Sequence, residues 1–103
     1  MTRTTADVIH RVVIRGRVQG VGFRAWTQAM ANRCNLEGWV RNRRDGSVEA
    51  LFAGLQDVVL AMIELSRIGP PGARVESIDQ REASGEDLAL RRAGESFSVL
   101  ASV

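Results

Sequence analysis

Apolar positions along the chain change period repeatedly, and each change marks an element. From Val8 to Arg15 the chain is rich in β-branched residues, and His10, Val12 and Ile14 alternate with Arg11, Val13 and Arg15. That alternation predicts a strand with one face more polar than the other. Gly16, Gly20 and Gly22 then mark a loop. Phe23, Trp26, Thr27, Met30, Ala31 and Cys34 follow at i, i+3, i+4, i+7, i+8 and i+11, the stripe of a helix that ends in the Asn32 to Asn35 region. Gly38, Trp39 and Val40 begin a second strand that runs to Arg43. Asp45-Gly46 is a hairpin signal, and Val48, Ala50 and Phe52 share one face of a third strand, which Gly54 breaks. Leu55, Val58, Val59, Met62 and Ser66 form a second helical stripe, closed by Gly69-Pro70-Pro71-Gly72. Ala73 to Arg81 reads as a fourth strand with Val75 and Ile78 as its apolar content. Residues 83–95 are polar and irregular, and Phe97 to Leu100 fits a short last strand.

The order is β-α-β-β-α-β. It predicts an α+β fold of ferredoxin-like arrangement: two helices packed on one face of an antiparallel sheet, with a fifth strand at an edge. Residues 1–7 read as a disordered tail, and 8–103 as one domain. A helical crossover makes the first two strands parallel, so their C-terminal ends lie at the same edge of the sheet. The glycine loop and the Arg41-Asn42 end of the second strand are therefore expected to converge. With the third strand between them the gap is roughly 10 Å, enough for a phosphate and an arginine side chain.

Length and composition narrow the class. A chain of 103 residues, 45% apolar and 25% charged, is a globular domain of ordinary size. No apolar run approaches the roughly 20 residues of a membrane span. The opening MTRTTADVIHR has no apolar core of a secretory signal, so a cytoplasmic protein is expected. The single cysteine, Cys34, excludes an internal disulfide and a Cys-based zinc site, and the single histidine, His10, excludes a His-rich metal centre. No metal and no cofactor are expected.

All 14 basic residues are arginine. Lysine chemistry is thereby excluded: there is no Schiff base and no Walker-type phosphate lysine. Residues 1–44 carry nine Arg against Asp7 and Glu37, whereas residues 45–103 carry five Arg against ten acids. A basic half suggests an anionic partner, either a small phosphate or nucleic acid.

The loop GRVQGVGFR (16–24) joins a strand to a helix start, and that makes an anion site. Glycines let the backbone approach closely. Loop and first-turn N–H groups lack helical partners, and the helix dipole adds positive charge. Arg24, in the first turn, has a planar fork that can grip two phosphate oxygens. The plainer reading is a strand–helix connection with a surface arginine. Gly20-x-Gly22-x-x-Ala25 also matches a dinucleotide fingerprint, but the Asp45-Gly46 hairpin puts an antiparallel neighbour where that fold needs another crossover. His10, Glu37, Trp26 and Trp39 read as ordinary strand, surface and packing residues. Arg17, Arg41, Arg43 and Arg44 read as contributors to local potential.

GRVQGVGFR, followed by GWVRN (38–42) and DGSVEA (45–50), closely resembles the acylphosphatase family, in its order and spacing, from about residue 8 to residue 99. The resemblance implies hydrolysis of the carboxyl–phosphate bond of a small-molecule acyl phosphate, without metal, with inorganic phosphate as product and inhibitor. It implies that Arg24 binds the phosphoryl group and that Asn42 orients the attacking water. Backbone N–H groups of Gln19, Gly20, Val21, Gly22, Phe23 and Arg24 would then stabilise the phosphoryl oxygens. A monomer is expected. The ending, Phe97 to Val103, departs from the aromatic-rich strand with a nearby Arg or Tyr common in the family. Two other functions stay open. One is a phosphate- or carbamoyl-phosphate-binding domain of a larger maturation enzyme. The other is a nucleic-acid module of the same element order, which needs base-stacking aromatics; the first strand has none, and Phe52 shares a face with Val48 and Ala50.

Overall fold

The computed structural model describes residues 7–103. Strand β1 (Asp7–Arg17) leads into helix α1 (Phe23–Arg33), then β2 (Glu37–Asn42), β3 (Val48–Leu55), helix α2 (Gln56–Ser66) and β4 (Arg74–Glu82). A short helix α3 (Gly85–Leu88) and strand β5 (Phe97–Val99) complete the chain. The sheet order is β4-β1-β3-β2-β5. β3 pairs antiparallel with both β1 and β2, so β1 and β2 run in the same direction with one strand between them. β5 pairs parallel with β2, which makes the sheet mixed rather than purely antiparallel.

The core follows from the alternation. Val12 and Ile14 of β1 lie opposite Ala50 and Val48 of β3, and all four are completely buried under the helices. From α1 come Phe23, Thr27 and Ala31, and from α2 Val59, Met62 and Ile63. Burying each large apolar side chain contributes about 1.5–3 kcal/mol. The two polar residues on these faces are satisfied locally: Thr27 Oγ1 donates to Phe23 O at 2.8 Å, and Ser66 Oγ to Met62 O at 2.9 Å. Phe52 stacks on Phe97 of β5 at 5.8 Å, so the aromatic ring of the central strand is used by the core.

Several expectations shift. The tail expected over residues 1–7 lies outside the described residues except Asp7, which opens β1. β1 continues through Gly16 to Arg17, because a register shift at Arg15/Gly16 lets it keep pairing with β4. Gly54 lies within β3, and Leu55 is the exposed N-cap of α2 rather than part of its buried stripe. Residues 83–95 include α3, opened by a capping box in which Ser84 and Asp87 bond each other's backbone N–H. α3 packs on the sheet face opposite α1 and α2, where Trp39 Nε1 donates to Asp87 O at 2.8 Å. Trp39 is therefore a buried residue of that second, smaller layer.

Candidate active site

β1 delivers the chain to the edge of the sheet where Val18, almost fully buried, anchors the start of the loop. Gly20 (φ 75°) and Gly22 (φ 80°) are left-handed, and Gly22 is the N-cap of α1. A cap without a side chain leaves the helix's first N–H groups free, and the first intrahelical bond is Trp26 N–H to Gly22 O at 3.0 Å. No acidic residue occupies the first turn, so the helix's positive end is not neutralised from within. Arg24 is half-buried and has no carboxylate partner among the described residues.

The Gln19 side chain reaches across to the β2–β3 hairpin. Its Nε2 donates to Arg43 O at 2.8 Å and to Ser47 O at 2.9 Å. It fastens the loop to the β2–β3 hairpin. The hairpin is stiffened by Asp45, which accepts from Ser47 Oγ at 2.6 Å and Ser47 N–H at 2.9 Å. These bonds, side chain first, hold the Asp45 carboxyl below its ordinary value.

Asn42 is the last residue of β2, paired with buried Val48, so its side chain lies on the helix-bearing face. Its amide has no hydrogen-bond partner among the described residues, while its backbone O accepts from Val103 N–H at 3.0 Å. The predicted convergence is present. Gln19, Gly20, Gly22, Phe23, Arg24 and Asn42 line one cleft of about 340 Å³. Val21 does not line it; its side chain packs against the core beside Gly72.

Four lining residues were not anticipated: Val18, Ala25, Gln28 and Val99. Gln28 sits one helical turn after Arg24, an i,i+4 spacing visible in the sequence, and its Nε2 donates to Phe97 O at 3.1 Å. Val99 comes from β5, so the atypical end of the chain does reach the site. Arg41 and Arg11 are engaged elsewhere, both held by the buried carboxylate of Glu49 at 2.7 and 2.6 Å. His10 is on the far part of β1, opposite Phe52 and Glu82. Among the described residues no three His, Cys, Asp or Glu side chains come together as metal ligands, and no helix is long and apolar enough to cross a membrane.

The family model for acylphosphatase matches residues 10–96. An acylphosphatase of Bradyrhizobium diazoefficiens is 60% identical over 95 residues, covering 92% of this chain and 96% of that one. The chain belongs to the acylphosphatase family. The crystal structure of acylphosphatase from Bacillus subtilis, 35% identical, superposes with a TM-score of 0.77 over 90% of this chain and 98% of that chain. Full-length HypF, in its phosphate- and nucleotide-bound form, contains a similar unit. It is 25% identical with a TM-score of 0.79, covering 99% of this chain and 13% of that one. The α+β sandwich is thus the acylphosphatase, ferredoxin-like fold, and the chain is a hydrolase of acyl phosphates.

Proposed function

We propose that acyl phosphate hydrolysis takes place in the cleft between the Gln19–Arg24 loop and Asn42, with Arg24 and the loop N–H groups holding the phosphoryl group. The observation that carries this reading is the pairing of an unpartnered guanidinium with an unneutralised helix start, facing an unpartnered amide across one cleft. A carboxylate leaving group has a conjugate acid of pKa about 4, so it departs without a general acid. Water oxygen bonds to phosphorus, the phosphorus–oxygen bond to the acyl group breaks, and the carboxylate leaves with the electron pair. The phosphoryl group passes through a loose state with charge on its oxygens, where positioned donors have most effect. Asn42 accepts from the water through its carbonyl oxygen and holds it in line. It is too weakly basic to take the proton, which goes to a phosphate oxygen. Inorganic phosphate, the product, competes for the same donors, and the enzyme acts as a monomer.

The test separates holding from attacking. Arg24→Ala should lose at least about 2–3 kcal/mol of binding to phosphate and acyl phosphate, roughly a hundredfold, and nearly all turnover. Asn42→Ala should lower kcat by orders of magnitude while the phosphate inhibition constant stays within about twofold. Benzoyl phosphate hydrolysis with phosphate inhibition measures both. Activity near wild type in Arg24→Ala ends the assignment; equal loss of phosphate affinity in both variants makes Asn42 a phosphate ligand.

A further inference from the structure

The face of the sheet turned away from α1 and α2 is only half covered. α3 lies over its β2–β3 part, where Trp39 and Leu51 are buried, while among the described residues no helix lies over its β1–β4 part. On that part Arg11, Val13 and Arg15 of β1 lie opposite Arg81, Asp79 and Ser77 of β4. Together with Arg43, which follows Asn42, most of these residues line a hollow of about 230 Å³.

The charge in this hollow does not balance. Asp79 holds Arg15 at 2.6 Å, and Glu49 is shared between Arg11 and Arg41. Arg81 makes no ion pair among the described residues, and Arg43 makes none at contact distance, although the Asp45 carboxylate lies within electrostatic reach of both Arg43 and Arg15. Five guanidiniums on this face thus face two ion-paired carboxylates, Glu49 and Asp79, and the more distant Asp45, an excess of two positive charges. Arg11 and Arg81 are also direct cross-strand partners, and like charges so placed destabilise a sheet. Arg17 opposite Arg74 repeats the pattern further along. An anion lying between these groups removes the repulsion.

The chemistry of that anion is narrow. Planar guanidinium forks match phosphate oxygens in pairs. No aromatic ring lines the hollow, so nothing there stacks a base. Its volume is below that of ordinary drug-sized sites. We propose that this hollow is a second anion site, distinct from the catalytic cleft, which takes a compact diphosphate group, either as free pyrophosphate or as the diphosphate of a nucleotide. Asn42 and Arg43 are consecutive and face opposite sides of the sheet, so the two sites meet at one peptide unit.

Isothermal titration of the full chain with pyrophosphate tests the site. The Arg24→Ala variant, its cleft disabled, should still bind one pyrophosphate, and adding Arg81→Glu should weaken that binding at least tenfold. Arg81→Glu alone should keep benzoyl phosphate turnover within twofold of wild type. It should also raise the thermal midpoint by about 1–4 °C, since it replaces an opposed Arg pair with an Arg–Glu pair. ADP binding tighter than pyrophosphate identifies a nucleotide as the source, and the reverse identifies the free anion; either supports the site. Loss of all pyrophosphate binding in Arg24→Ala, indifference to Arg81→Glu, a lowered midpoint, or tighter binding of a 20-mer oligonucleotide than of pyrophosphate would overturn it. The use of Arg24→Ala to disable the cleft rests on the proposed function, but the loss of pyrophosphate affinity caused by Arg81→Glu and the shift in thermal midpoint are read without it.

Discussion

The two faces of one sheet present cationic and N–H donors in opposite ways. On the helix side the donors are mostly backbone: N–H groups fixed by two left-handed glycines and the start of α1, with Arg24 as the added cation. On the other side they are guanidiniums standing on exposed strands, several of them tied to carboxylates. Backbone donors need no reorganisation as charge develops, which is what lowering a barrier requires. Side-chain cations supply attraction, but each must be ordered when it binds. The first arrangement suits turnover and the second suits retention.

Changes in the cleft should therefore be much more costly to catalysis than changes of similar charge on the back. Asn42→Asp should have the largest effect. It keeps an acceptor oxygen and adds a base, yet places negative charge beside an anionic substrate. Steady-state rates at least about a hundredfold below wild type are expected, from repulsion at close range. A variant as fast as wild type would mean that water is activated by a base and that positioning alone is the wrong description.

Gln19→Ala comes next. It removes two hydrogen bonds between loop and hairpin without altering any charge. Chemical denaturation should show about 1–3 kcal/mol of lost stability, and kcat should fall about tenfold as Asn42 and the loop lose their fixed separation. An unchanged kcat would show that the loop holds its shape without the hairpin.

Gly22→Ala should be milder. Its added carbon meets no atom within 4 Å, so the cost is that of a left-handed dihedral, about 1 kcal/mol. Phosphate affinity should drop several-fold if the N–H groups shift; a drop confined to stability would assign anion binding mainly to Arg24.

Asp45→Ala sharpens the comparison at its smallest scale. The carboxyl's folded value lies below its ordinary 3.8, so its contribution is present above that value and is lost as pH falls through the lower, folded one. Between pH 5 and 8 the variant should show a small, pH-independent loss of thermal midpoint, and the gap should close only in acid below 3.8. A gap that varies across the neutral range would point to a different titrating group.

Most of the cleft was legible because its signals are local. Loop glycines, the first turn of α1 and the end of β2 are each read within a few residues, and the crossover rule brings them together. What was not legible depends on distant parts of the chain. Gly16 reads as a loop residue until β4 arrives to pair with it. Residues 83–95 have little apolar content, and α3 is held by a capping box and by Trp39. Val99 enters the cleft only because β5 adds to β2 in parallel, which no short-range pattern announces. The direction in which the Gln19 side chain points was likewise hidden, since its partners are carbonyls of Arg43 and Ser47.

β4 stands at one end of the sheet, nine residues long, and among the described residues no other strand pairs with the outer side of its backbone. Such an edge is a template for another chain to extend the sheet. Only Val75 and Ile78 along it are apolar, while Arg74, Glu76, Asp79, Arg81 and Glu82 are charged and exposed. A second molecule adding at this edge would have to place its own strand against that row of charge. The charged residues of β4 thus also keep the sheet from growing, and neutralising several together should show first as self-association at high concentration.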